Sequence, residues 1–357
     1  MIEALLAAGQ IGGRTIQIDA AGDVECATYS VPVPGEGQVL VRTVRSAISP
    51  GTEMTFYGRD ASNVLLHRRW DAELRLFRPG SPSLEHPVTF GYRASGEVVE
   101  SRLAALPVGS RVFGNWRHTE YVLGDEALSA QVLPPGLTHD DGVDLAQMGP
   151  ICVNAVAFGG HRKAGEPVVV FGAGPVGLIT AQVARSGGAS RVHVVDRLPA
   201  RLEVAASLGL DTVDASAAAD VAFQLKSRFG AEAIPVAFEC TGSTHALNEA
   251  IRVVRRRGTV VVVGFYQGEA AGLFLGDEFH HNGVQLVCGQ IGNVHPDWDV
   301  AGLRRETVDL ALRGDIVLGG LPRLTLPVER AADGFAALQE RPAEVLQVAL
   351  NYENGAG

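Results

Sequence analysis

Apolar and polar positions in the first 150 residues follow a short, two-residue rhythm. Gln38 to Ile48, "QVLVRTVRSAI", alternates in part, which predicts a half-buried strand. "VTFGYRASGEVVE" and "SRVFGNWRHTEYVLG" follow the same way, with turn residues such as "LPVGS" between them. Short strands in this arrangement predict a small β-barrel or sandwich rather than strand–helix–strand units. Residues 61–79, "ASNVLLHRRWDAELRLFRP", interrupt the rhythm with charge-rich material of helical period. We read that segment as an excursion over the surface or over a cleft.

From about Gly149 the rhythm changes. "VVVFGAGPVGLITAQVARSGGASRVHVVD" reads as strand, glycine turn, helix and strand. "PVAFECTG" and "GTVVVVGF" are further β-branched strands separated by helical stretches, and "GVQLVCGQIG" reads as the last strand. Strands alternating with helices predict a doubly wound parallel sheet, so the fold class is α/β with a separate β-rich part. After Asn293 a helix leads to the terminal strand "VLQVAL". The expected division is one domain from residues 1–150 with 293–357, and a nucleotide-binding domain from residues 151–292. A chain of 357 residues is long enough for two cores.

Composition narrows the class. A formal charge of −10 argues against a nucleic-acid or anionic-membrane surface. No apolar run approaches the roughly 18 residues that span a bilayer, and "MIEALLAAGQIGG" lacks the pattern of a signal peptide. Cys26, Cys152, Cys240 and Cys288 are scattered without a C-x-x-C pair, which points to a reducing cytoplasm rather than a disulfide framework. The basic run "RVVRRRG" suits the C-terminal end of a helix dipole.

Candidate chemistry starts at Gly172-Ala-Gly174-Pro175-Val176-Gly177, a G-x-G-x-x-G turn that follows a strand and opens a helix. Gly172 permits the tight turn, Gly174 lets a pyrophosphate approach the backbone, and Gly177 lets the helix pack on the strand. Asp196 ends the next strand, 19 residues beyond Gly177. A carboxylate there accepts ribose hydroxyls and repels a 2′-phosphate, so NAD is expected over NADP, with Arg197 softening the preference.

The order of these parts resembles the medium-chain dehydrogenase/reductase superfamily, over nearly the whole chain. The residues that carry the resemblance are "ISPGTEMTFYG", "FGYRASGEVVE", "VGSRVFG", "GAGPVGL", "VVDRLPARLEVAASLG" and "ECTGSTHALNEAIRVVRRRGTVVVVG". It implies a GroES-like catalytic domain and a Rossmann domain. It also implies that Cys240, Thr241, Gly264 and Phe265 contribute to the cofactor site, with the nicotinamide between the domains near Gly264 and Phe265. A homodimer or homotetramer through the last Rossmann strand is expected by the same resemblance.

Zinc enzymes of that superfamily carry ligands at three places where this chain departs from the pattern. "SPGTE" puts Ser49 at or beside a Cys position, "GYR" puts Tyr92 and Arg93 at His and Glu, and "MGPICVNAV" puts Gly149 at an acid or Cys, with Cys152 offset. A zinc site needs three such ligands, so neither a catalytic nor a structural zinc is expected, and the chain is similar to a zinc-independent branch. His280 and His281 are a weak metal alternative, because neighbours on a strand point to opposite faces.

Without a metal, a Tyr92 hydroxyl can pass the proton, with Arg93 lowering its pKa and binding oxygen-rich substrates. Ser49, Thr52 and Thr55 supply a hydroxyl network, and Glu53 orients neighbours such as Arg93. Each has a bland counterpart: Tyr92 as a filler of the metal pocket, Arg93 as a structural partner of Glu53, Ser49 as a passive replacement, His118 as a half-exposed structural residue. Trp116, Tyr57 and Phe56 are candidate walls for a substrate ring. The expected function is NAD-dependent, zinc-independent interconversion of a secondary alcohol and a ketone on a polyhydroxylated small molecule. Alternatives are reduction of an activated C=C bond and a non-catalytic NAD(H) sensor.

Overall fold

A computed structural model describes residues 10–160, 165–217 and 220–353. Most of the N-terminal stretch read for a signal peptide lies outside them. The chain divides into two compact units, Met1–Ala146 with Pro322–Gly357, and Gln147–Leu321.

The first unit is built on the Val39–Ile48 strand, which is paired along both edges. One edge takes Ala94–Ser101, with two register shifts. The other is shared end to end: Val39–Arg42 pair with Tyr121–Gly124, and Arg45–Ile48 with Val348–Asn351. Ten residues of strand, roughly 33 Å, make that sharing possible. A second sheet orders Val24–Pro32, Gln10–Ile18 and Val88–Thr89. The expected half-buried alternation of Val39–Ile48 is not observed. Eight of its ten residues are buried, among them Thr43 and Ser46. Their hydroxyls find partners in Thr119 O, Trp116 Nε1, His118 Nδ1 and Tyr352 Oη, so the polar positions do not have to face water.

The helical reading of residues 61–79 also changes. A single 3-10 turn, Val64–Leu66, is followed by a hairpin of Arg69–Asp71 and Leu76–Arg78. Asp71 closes it locally, taking the Leu74 N–H at 2.9 Å and the Arg78 guanidinium at 3.1 Å.

The second unit holds a six-stranded, all-parallel sheet in the order Asp211–Asp214, Val192–Asp196, Val168–Phe171, Val236–Glu239, Thr259–Val262, Gln285–Cys288. That is the 3-2-1-4-5-6 order of a dinucleotide-binding sheet. The Val168–Phe171 strand is buried throughout, as a central parallel strand must be. Residues 293–321, expected in the first domain, belong to this unit. Their helix, Val300–Leu312, packs against Met148–Gly159, with Thr307 filling the space over Gly149.

Candidate functional site

The three glycines of the turn meet three different demands. Gly172 has φ +99, a conformation few side chains tolerate, and an added Cβ would meet Thr241 Cγ2 at 2.8 Å. A Cβ on Gly177 would lie 1.8 Å from the Gly172 carbonyl oxygen. One on Gly174 would meet nothing nearer than Arg201 Nη1 at 3.9 Å, which leaves the backbone open to a ligand. The Pro175–Ser186 helix starts there with Pro175 in its first turn and no side-chain cap on Gly174. Its leading N–H groups and positive dipole end suit a pyrophosphate.

Asp196 stands at the carboxyl end of the neighbouring strand. Its Oδ2 accepts the Ala173 N–H at 2.7 Å and its Oδ1 the Leu198 N–H at 2.9 Å. The carboxylate is thus fixed to the glycine turn, and each oxygen retains acceptor capacity for a ribose hydroxyl. Arg197 is exposed, while Arg201, which the sequence reading missed, lies by Gly174. Burial lowers the Arg201 pKa and the Asp196 charge opposes that. Its place five residues after Asp196, on the Pro199–Ser207 helix, was the available signal.

Glu239 was missed as well. Fully buried at the end of its strand, it accepts hydrogen bonds from Thr241 N at 2.7 Å, Gly242 N at 3.2 Å, and the Thr241 and Tyr266 hydroxyls. Its backbone oxygen takes the Val263 and Gly264 N–H groups, each at 2.8 Å. The two loops carrying Cys240, Thr241, Gly264 and Phe265 are thereby stitched together. A Cβ on Gly264 would come within 2.3 Å of Gly242 N. Burial pushes the Cys240 thiol well up, so it is a packed thiol rather than a nucleophile.

In the first unit, the Tyr92 hydroxyl donates to Ser49 Oγ at 2.5 Å, and Ser49 Oγ also lies 3.3 Å from the Thr52 N–H. The expected lowering of the Tyr92 pKa is not what results. Burial raises it, the Glu53 charge adds to the rise, and hydrogen bonds from Ser49 and Thr52 and then the Arg93 charge oppose it. Desolvation outweighs the guanidinium charge.

Arg93 does not pair with Glu53. It is fully buried and bound to Asp144, with weaker bonds at 3.4 Å to the Val143 and Ile48 carbonyls and to Gln347 Oε1. Asp144 in turn holds Arg323 at 3.2 Å. Glu53 instead accepts from His118 Nε2 at 2.8 Å, and His118 is fully buried rather than half-exposed. Thr55 donates to the Thr52 carbonyl at 2.6 Å and accepts from Asn63, so its hydroxyl is turned inward. Trp116 and Phe56 sit in hydrophobic cores, and Tyr57 packs on Phe335 at 5.4 Å.

Taken one by one, the residues expected at the zinc-ligand places do not supply zinc donors. Ser49 and Tyr92 are committed to each other, Arg93 is a cation, and a side chain at Gly149 would begin 2.1 Å from Thr307 Cγ2. Cys152 Sγ donates to the Val176 carbonyl at 3.3 Å. No group of three His, Cys, Asp or Glu able to hold a metal occurs among the described residues. His280 and His281 lie on a helical turn, not a strand, with rings 5.4 Å apart.

The second unit carries the strand order of a dinucleotide-binding sheet. The family profile described as zinc-binding dehydrogenase matches residues 175–301. The chain is 30% identical to (R,R)-butanediol dehydrogenase of Bacillus subtilis, over 72% of this chain and 80% of that one. It is 29% identical to L-galactonate-5-dehydrogenase of Escherichia coli, over 81% and 85%. The crystal structure of the 2R,3R-butanediol dehydrogenase of Bacillus subtilis superimposes with a TM-score of 0.75, at 22% identity over 95% of this chain and 99% of that one. The chain belongs to the alcohol and polyol dehydrogenase family of the medium-chain dehydrogenase/reductase superfamily, and is an oxidoreductase.

Proposed function

We propose that the protein is an NAD-dependent dehydrogenase that interconverts a secondary alcohol and a ketone on a polyhydroxylated small molecule, without a catalytic metal. The relatives named for butanediol and L-galactonate support the substrate class. The observation that carries the metal-free part is the Tyr92–Ser49 hydroxyl pair; by the family resemblance Tyr92 falls at a zinc-enzyme His position and Ser49 at or beside a Cys position.

Bound NAD would supply the hydride acceptor. Gly172, Gly174, Pro175, Val176 and Gly177 would hold its pyrophosphate, Asp196 its ribose, with Arg197 and Arg201 alongside, and the Cys240–Thr241 and Gly264–Phe265 loops its nicotinamide end. Tyr92 is the proton-transfer group. In ketone reduction the neutral phenol gives its proton to the substrate oxygen, and the hydroxyls of Ser49 and Thr52 stabilise the phenolate left behind. In alcohol oxidation the phenolate takes that proton back. Arg93, paired with Asp144, acts by holding the Tyr92 segment in place.

Four free thiols suit a reducing cytoplasm. The Gln285–Cys288 strand ends the sheet with largely exposed residues, which suits continuation into a second subunit. Initial rates of NADH formation over sugars, cyclitols and simple secondary alcohols, compared between the wild type and Tyr92→Phe, test the proposal. No turnover of any secondary alcohol would remove it.

A further inference from the structure

Four side chains form a hydrogen-bonded row through the interior of the first unit. Tyr352 Oη lies 3.2 Å from Ser46 Oγ, Ser46 Oγ 2.7 Å from His118 Nδ1, and His118 Nε2 2.8 Å from Glu53 Oε2. None of the four is more than 2% exposed. A neutral imidazole completes the row in one direction: Tyr352 donates to Ser46, Ser46 to Nδ1, and Nε2–H to Glu53.

The row ends on an atom that packing alone does not explain. Glu53 Oε1 is buried and receives no hydrogen bond. A buried carboxylate oxygen left without a donor costs free energy, and its retention calls for a reason. Glu53 belongs to the turn that carries the proposed proton-transfer hydroxyls. Its N–H donates to the Ser49 carbonyl at 3.1 Å, and it opens the Glu53–Phe56 turn directly after Thr52. Its charge acts on Tyr92 against that of Arg93, whose own charge is bound to Asp144.

We propose that His118 is a positioning residue. Through its bond to Oε2 it holds Glu53, with one oxygen unshared, in the turn that presents Ser49 to the Tyr92 hydroxyl. Ser46 and Tyr352 fix the imidazole in the orientation this needs. The inference rests on Tyr92 being the proton-transfer group, and the experiment below separates the two.

The test is the ionisation of Tyr92, read as the pH-dependent ultraviolet difference between each protein and its Tyr92→Phe counterpart. Subtraction is needed because the chain has six tyrosines. Glu53→Gln keeps the shape and the acceptor but removes the charge. It is expected to make Tyr92 about tenfold more acidic, the size of effect one nearby charge has in a partly buried site. The alkaline limb of the ketone-reduction profile should move to lower pH in step. His118→Phe is expected to shift Tyr92 the same way, because Glu53 then loses the bond that holds it in the turn. His118→Gln, which can still donate, should restore the wild-type titration.

An unmoved Tyr92 titration in folded Glu53→Gln would overturn the inference. So would a His118→Phe protein that melts earlier while Tyr92 titrates as in the wild type. Should Tyr92→Phe keep full turnover while the titration still shifts, the coupling stands and the catalytic reading of Tyr92 falls instead.

Discussion

The Tyr92 hydroxyl donates to Ser49 Oγ at 2.5 Å, joining two residues 43 positions apart in the chain. A phenol held by a second hydroxyl is an acid–base group in its own right. Tyr92→Phe is expected to lower kcat by about 10²- to 10⁴-fold, the usual worth of a positioned proton-transfer group. Nucleotide affinity, measured by fluorescence titration, should not change.

A pH dependence follows from the same residue. Burial raises the Tyr92 pKa, so the phenol carries its proton at neutral pH. With Tyr92 as the proposed proton-transfer group, ketone reduction would use the protonated form and should hold steady through neutrality, then fall as pH rises through the shifted pKa. Alcohol oxidation would use the phenolate and should rise over the same interval. Matched pH profiles in the two directions check the sign, and both limbs should vanish in Tyr92→Phe.

Arg93 behaves as a structural cation. Removing one partner of a buried ion pair leaves the other uncompensated, at a cost of roughly 3–5 kcal/mol. Asp144 retains Arg323, which places the expected loss for Arg93→Met toward the lower end. Denaturant titration should show that loss, and the surviving folded enzyme should keep its Michaelis constants for oxygen-rich substrates within about threefold. A selective rise for those substrates would return Arg93 to the binding site.

Asp196 is tied to the glycine turn through the Ala173 N–H and is read as the ribose acceptor. Asp196→Asn keeps an acceptor for that amide and removes the charge that repels a 2′-phosphate. The ratio of kcat/KM for NAD over NADP should drop by about 10- to 100-fold, as expected for one or two charged hydrogen bonds. Arg201→Ala should weaken binding of both nucleotides.

Thr307 occupies the space over Gly149. Gly149→Ala puts a methyl 2.1 Å from Thr307 Cγ2 and should destabilise the second unit by about 1–3 kcal/mol, despite alanine's better helix propensity. Thr307→Ser removes the clashing methyl and should recover most of that loss in a double-mutant cycle.

What the sequence made legible was local. The glycine turn and Asp196 meet within one backbone neighbourhood, through the Ala173 N–H, as their spacing in the chain suggested. The doubly wound parallel sheet follows from the alternation of strands and helices, but its strand order, 3-2-1-4-5-6, does not, because the same alternation also builds a 2-1-3-4-5 sheet. The partners of buried polar groups were another matter. Arg93 meets Asp144 across 51 positions, and His118 meets Glu53 across 65. No periodicity records such pairings, so Arg93 was matched with the wrong carboxylate and His118 was placed half in solvent. Thr43 and Ser46 misled for the same reason, since a polar residue in a strand reads as solvent-facing until its distant acceptor is known. The 61–79 hairpin was hidden by charges spaced like a helix face, although the Asp71–Leu74 turn that closes it is local.

The measurement that tests the central claim most directly is turnover of a secondary-alcohol substrate with NAD by protein whose metal content has been assayed, with and without a strong chelator. The account predicts less than stoichiometric zinc and the same rate in both conditions. Activity that tracks bound zinc, lost on chelation and restored by adding the ion, would contradict it.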